Sequence, residues 1–260
     1  MTTKSFRQAR DRERKKRFLI ISLGVLLFTV FLFGGLYFSI TRFLKVTDIY
    51  VYGNQKVKYE DVISAIKIQK GHRLFDTDLK TIHKRLMSNR WIKEAVIKKE
   101  LSGGIHIKIK EAQALALLRL NDRTYLVDKD GVMLEDIGDP TAMFLPLLID
   151  INPKENYQAY KEALSFADFL KNNTSYISKG KIEIFGKKPE DITLKIEGIQ
   201  IKIGSGDYEK KISRLDFVRQ EIQKRNLHVD VIDVRFKDRV VVRTNKENND
   251  KVILEKEKAR

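Results

Sequence analysis

Residues 91–111 read WIKEAVIKKELSGGIHIKIKE, and this stretch decides the fold class. Ile105, Ile107 and Ile109 alternate with His106, Lys108 and Lys110, the pattern of a strand with one buried and one wet face. Ser102-Gly103-Gly104 supplies a hairpin turn, so Trp91–Leu101 reads as the antiparallel partner strand. Upstream, Leu79, Ile82, Leu86 and Met87 form an apolar stripe that Asp76 or Asp78 can cap. Gly71 separates that helix from an earlier one over Lys58–Ile66, which carries Val62, Ile63 and Ile66 at helical spacing. Val46–Tyr52 is β-branched and aromatic and stops at Gly53-Asn54, a further strand. The order β-α-α-β-β makes residues 46–113 an α+β domain.

A second, mixed α/β block covers 114–244. Ala114–Arg119 and Thr124–Val127 flank Asn121-Asp122, a hairpin signal, and Asp128–Gly131 is a turn. Leu145-Pro146-Leu147 reads as an extended crossing. Tyr160, Leu164, Ala167 and Leu170 mark one helix, and Tyr208, Ile212, Leu215, Val218 and Ile222 a second. Ile182–Phe185, Ile192–Ile196 and Ile199–Ile203 are strands. Val231–Phe236 and Val240–Thr244 are a final strand pair turning at Lys237-Asp238. The expected result is a curved sheet with two helices. Residues 245–260 are polar and charged and read as a flexible tail.

Phe18–Ile40 is an uncharged run of 23 residues. As a helix it is about 35 Å long, enough to cross a bilayer core. A cleaved signal peptide has a shorter apolar core ending at a small-residue site, whereas Thr41-Arg42-Phe43 follows here. An uncleaved anchor is therefore expected. Residues 1–17 hold eight basic and two acidic side chains, which keeps them cytoplasmic and places residues 46–260 outside. Lying against the span, Arg12–Arg17 reads as a topology signal rather than a nucleic-acid patch.

The chain has 260 residues and a net charge of +16. Without its first 17 residues it keeps 43 basic and 33 acidic side chains, a net +10 that suits anionic surfaces. The absence of Cys excludes disulfides, thiolate metal sites and a Cys nucleophile. The mean hydropathy of −0.35 argues against several spans. His72, His83, His106 and His228 fall in no ligand spacing, so no metal is expected. Asp128-x-Asp130-Gly131 puts its glycine two positions too early for a calcium loop and reads as a turn. Gly204-Ser205-Gly206 lacks the rest of a phosphate loop and reads as a strand-to-helix turn. No nucleophile motif or paired carboxylates in an apolar setting appear. A non-enzyme without cofactor or small-molecule substrate is expected.

The β-α-α-β-β block resembles a POTRA domain. Ile49-x-Val51-x-Gly53-Asn54, Gly71…Leu74-Phe75, Arg90-Trp91-Ile92…Ala95-x-Ile97 and Ile105–Glu111 look like the POTRA of the DivIB/FtsQ bacterial cell-division family. Tyr125–Asp128…Gly131-Val132, Leu145-Pro146-Leu147, Ile203-Gly204…Tyr208-x-Lys210-Lys211-Ile212 and Ile232–Phe236 are similar to the family's β domain. The resemblance implies a bitopic scaffold at the division septum. Its partners would be small DivIC/FtsB- and FtsL-type proteins, and it would help recruit or regulate septal peptidoglycan synthesis. It further implies that a partner segment adds as a strand at Phe236, Val240, Val241, Val242, Arg243 and Thr244. Val240–Val242 is a late, β-branched run, and such an edge needs cover. A POTRA-type polypeptide-transport or assembly module and a basic wall-polymer binding module are the alternatives.

Overall fold

The computed structural model describes residues 3–138, 144–173, 181–244 and 251–255. The chain divides into two compact units, residues 1–111 and 112–260.

The first unit opens with helix α1, Thr3–Phe43. Within it Lys16–Ser39, 24 residues, is long and apolar enough to cross a membrane and is not buried against the rest of the chain. Strand β1 (Asp48–Tyr52), helices α2 (Tyr59–Ile66) and α3 (Leu79–Leu86), and strands β2 (Ile92–Lys99) and β3 (Gly104–Glu111) follow in the order expected. The Asp78 side chain accepts the Lys80 N–H at 2.9 Å and caps α3, so Asp78 rather than Asp76 is the cap. Glu60 and Asp61 in the first turn of α2 and Lys84 and Arg85 in the last turn of α3 complement the helix dipoles.

The three strands pair in the order β1-β3-β2. β1 runs parallel to β3, which requires a crossover, and α2, α3 and β2 supply it. The register puts Ile49 beside Ile105, Val51 beside Ile107 and Ala95 beside Ile109. These side chains pack with Val62, Ile66, Ile82 and Leu86 of the helices. The opposite face is open. There Tyr50 and Tyr52 stack with His106 at ring-centroid distances of 4.8 and 6.0 Å.

The second unit contains β4 (Ala114–Leu120), β5 (Arg123–Asp128), β6 (Met133–Asp136), β7 (Leu147–Ile149), α4 (Tyr157–Asn172), β8 (Ile182–Phe185), β9 (Thr193–Ile196) and β10 (Ile199–Lys202). It ends with α5 (Tyr208–Lys224), β11 (Val229–Asp233), β12 (Arg239–Thr244) and β13 (Lys251–Glu255). The sheet order is β13-β12-β11-β10-β9-β8-β7-β4-β5-β6. Parallel pairs occur at β4–β7, β7–β8 and β10–β11. Helix α4 makes the crossover from β7 to β8, and α5 the one from β10 to β11. Leu115–Leu118 of β4 are all buried, as a central strand covered on both faces must be. Tyr160, Phe166 and Leu170 of α4 and Leu215 and Val218 of α5 close the core.

The hairpins turn where the sequence signals them. Asn121 and Asp122 have φ of 48° and 62°, and Glu197 and Gly198 of 52° and 84°, as two-residue turns between twisted strands require. Three differences from the sequence reading bear on the sheet's ends. β6 follows the Asp128–Gly131 turn where no strand was expected. β11 stops at Asp233 rather than Phe236, because the Asp233 carboxylate accepts the Arg235 N–H at 3.1 Å and turns the chain out of the ladder. Lys251–Glu255, expected within a loose tail over 245–260, pairs residue for residue with Arg239–Arg243. The rest of that tail lies outside the described residues.

Candidate functional site

The six residues singled out from the sequence lie on β12 and the loop before it. Val240 and Val242 point into the core and are buried, Val241 and Arg243 alternate toward the other face, and Thr244, on the core side, is half-buried at the strand's end. Phe236 is outside the strand. It sits in the 234–238 loop, partly exposed, with the Arg239 guanidinium 5.1 Å from its ring centroid. The six therefore share one end of the sheet but present no common surface.

The free-edge argument for Val240–Val242 does not hold. β12 is flanked on one side by β11, with Val241 opposite Asp233 and Val242 opposite Ile232. On the other side it is flanked by β13, with Val240 opposite Leu254 and Val242 opposite Val252. The sheet ends at β13, whose outer side has no strand partner among the described residues. A five-residue terminal strand held by one neighbour sits at the low-stability end of any fold.

Two groups that the sequence reading passed over hold the loop beside β12. Arg214 of α5 donates to the Phe236 carbonyl, to the Lys237 carbonyl at 2.9 Å and to the Val234 carbonyl at 3.2 Å. One guanidinium thus ties three loop carbonyls to a helix, which its forked donors allow and a lysine could not copy. Asp233 and Arg235 form the second bracket, with Nε to Oδ1 at 3.0 Å and a second nitrogen to Oδ2 at 2.7 Å. Burial works to raise the Asp233 carboxyl. The hydrogen bonds and charge of Arg235 outweigh it and hold the group below the ordinary carboxylate range. No short-range motif marks Arg214, because its partners lie 20 to 23 residues away in sequence. β13 had a signal, the apolar run Val252-Ile253-Leu254 inside the charged C-terminus.

The other sequence candidates have local structural roles. The buried Asp128 carboxylate accepts the N–H groups of Asp130 and Val132 at 3.0 and 2.8 Å, closing its own turn. At the Gly204–Gly206 turn, Glu162 of α4 accepts the Gly206 N–H at 2.8 Å and the Tyr208 hydroxyl. Burial and this carboxylate push the Tyr208 phenol far above its ordinary value. The Lys211 ammonium, lowered by burial, donates to the Ser205 carbonyl at 2.7 Å. These polar groups are satisfied by one another.

Comparison with known proteins gives two adjoining matches. Residues 44–112 match the FtsQ-type POTRA domain, and residues 116–235 match the C-terminal domain of cell division protein FtsQ/DivIB. The chain belongs to the FtsQ/DivIB family of cell-division proteins. Cell division protein FtsQ of Geobacter sp. (strain M21) is 28% identical over 224 residues, 81% of each chain. Cell division protein DivIB of Clostridium tetani (strain Massachusetts / E88) is 29% identical over 211 residues, 77% of this chain and 79% of the relative. Cell division protein FtsQ of Rickettsia felis (strain ATCC VR-1525 / URRWXCal2) is 25% identical over 234 residues, 86% and 84%. The family membership and the apolar N-terminal helix, one such helix among the described residues, make this a single-pass membrane protein of cell division. Its first unit contains, after α1, the POTRA domain. Its second contains the FtsQ/DivIB C-terminal domain, and the match ends at residue 235, just before the 236–244 candidates.

Proposed function

We propose that the chain is a non-catalytic scaffold of the bacterial divisome with its N-terminus in the cytoplasm and residues 46–260 outside. At the division septum it binds DivIC/FtsB- and FtsL-type partners and helps recruit or regulate septal peptidoglycan synthesis. The observation that carries this reading is the C-terminal end of the large sheet. There β12 is followed by a single short strand, and strand exchange or addition needs no rearrangement of the core. A partner strand either takes the place of β13 on β12 or extends the sheet beyond β13. Arg214 and the Asp233–Arg235 pair keep the adjoining loop in place while this happens.

Proline substitution tests it. Successive N–H groups of a strand point to opposite edges, so one of Val241→Pro and Val242→Pro removes a donor facing β11 and the other a donor facing β13. The variant that keeps its fold loses binding to purified partner ectodomains. Removal of residues 249–260 raises partner affinity if the partner replaces β13 and lowers it if the partner adds outside β13. Unchanged affinity in both experiments sinks strand addition.

A second reading, binding of anionic wall polymer, is favoured by the open POTRA sheet face. Lys98 and Lys108 flank the Tyr50–His106–Tyr52 stack there, Lys98 opposite His106 and Lys108 beside Tyr52. It predicts salt-sensitive polymer binding that K98E/K108E abolishes and truncation of 249–260 leaves intact.

A further inference from the structure

The link between the membrane span and the POTRA domain has no slack. The apolar window ends at Ser39 and α1 at Phe43. The very next residue is already bound into the domain, since Leu74 N–H donates to the Leu44 carbonyl at 2.9 Å. Lys45 bridges to Arg73. Val46, buried in the POTRA core, donates to the His72 carbonyl and accepts from Gly71 N–H, both at 2.8 Å. Thr47 N–H donates to the Gly103 carbonyl at 3.0 Å. Gly103 has φ +99°, and a Cβ there would run into the Lys45 carbonyl. Two loops, 70–75 and the β2–β3 turn 100–103, are thus clamped around residues 44–47.

This fixes their height. The four helical residues beyond Ser39 rise only about 6 Å, the thickness of one headgroup layer. The two loops therefore emerge at the lipid surface. This end of the domain exposes large apolar side chains, two on the loops and one at the end of α1. Leu101 is 73% exposed at the hairpin tip, Phe75 42% and Phe43 79%. Two cations belong to the same end of the domain. Lys45 is exposed, and the half-exposed Arg73 lies 3.6 Å from Asp76. Exposed apolar tips together with Lys and Arg are a composition found on surfaces that lie in a membrane interface.

We propose that this end of the POTRA domain rests on the bilayer, with Leu101 and Phe75 in the interfacial layer and Lys45 and Arg73 on anionic headgroups. The inference depends on α1 spanning the membrane and is independent of what β12 binds. It makes the domain a rigid extension of the span rather than a tethered head.

The chain contains no Cys, so single-cysteine variants of the full-length protein are available directly. Leu101→Cys and Phe75→Cys report the two loops. Ser88→Cys, beyond the far end of β2 and about 26 Å of strand away, is the reference. Phe28→Cys reports the span. Each is labelled with an environment-sensitive fluorophore and reconstituted into phosphatidylcholine–phosphatidylglycerol vesicles containing lipid spin-labelled near the headgroup. The expected result is several-fold stronger quenching at 101 and 75 than at 88. Equal quenching at all three, with position 28 still quenched, overturns the proposal. Loss of quenching at 28 as well places the fault in the span. In a K45E/R73E background the label at 101 is quenched less in these vesicles than in pure phosphatidylcholine, as anionic headgroups repel the loop and tilt the domain. Unchanged quenching in both overturns the role of the cations.

Discussion

Replacing Glu111 with Gln tests what holds the POTRA domain together at the start of its first helix. Glu111 ends β3, and its carboxylate reaches across to the loop between β1 and α2. Oε1 accepts the N–H groups of Gln55, Lys56 and Val57 at 2.9, 3.0 and 2.8 Å, and Oε2 accepts that of Lys56 at 2.9 Å. Burial works to raise this carboxyl, but the Lys56, Val57 and Gln55 donors together hold it below its ordinary value. Glutamine keeps one acceptor oxygen and turns an NH2 toward donors. Bonds to a charged acceptor are worth about 1.5–3 kcal/mol each, neutral ones about 1, and they do not add. With the discount that partial exposure requires, the net loss is about 2 kcal/mol. For a domain this small, with a urea slope of about 1 kcal/mol/M, the unfolding midpoint falls by about 2 M.

The assay is urea unfolding of the full chain in detergent, read from Trp91. It is the single tryptophan, it packs against the POTRA core, and the Lys56 ammonium lies 5.1 Å from its ring centroid. The pH dependence gives a second check. The folded-state carboxyl titrates below the unfolded one, so its contribution is complete above the unfolded value of about 4.3 and disappears as pH falls through the folded value. The difference between the natural chain and Glu111→Gln therefore closes in acid. A variant within about 0.5 kcal/mol of the natural chain at neutral pH refutes the reasoning. So does a difference that persists unchanged in acid.

Arg214→Met removes all three bonds to the 234–238 loop, so the amides of Phe236–Asp238 exchange several-fold faster while stability falls by about 1–2 kcal/mol. Weaker binding of the division partners should accompany this, and unaltered exchange would remove Arg214 from the account of the site. Gly131→Ala is costly for two reasons, φ of +84° and a new Cβ 2.8 Å from the Tyr160 ring. It lowers stability by about 2 kcal/mol or more in thermal unfolding. Gly138→Ala, at φ +63° with nothing within 4 Å, carries only the backbone strain of about 1 kcal/mol and serves as its control.

Much of this protein is determined by local pattern. An uncharged run of 23 residues is long enough as a helix to cross a bilayer core whatever surrounds it in the sequence. Alternation at Ile105–Lys110 and the stripe at Leu79–Leu86 define their elements because period 2 and period 3.6 each suit one backbone. The two-residue turns at Asn121-Asp122 and Glu197-Gly198 follow from Asn, Asp and Gly, which tolerate positive φ. Even the helix cap is local, since Asp78 bonds to an amide two positions on. What pairs with what is not local. That β1 lies parallel to β3, that α4 and α5 each cross between parallel strands, and that Arg214 reaches the 234–238 loop all depend on contacts distant in sequence. The candidate site shows the difference most plainly. Val240–Val242 is legible as a strand, because β-branched residues favour a pleated backbone. Whether that strand is an edge depends on its neighbours. A strand's own side chains do not record how many sides of its backbone are paired, and the pairing with Lys251–Glu255 exists only in the folded sheet.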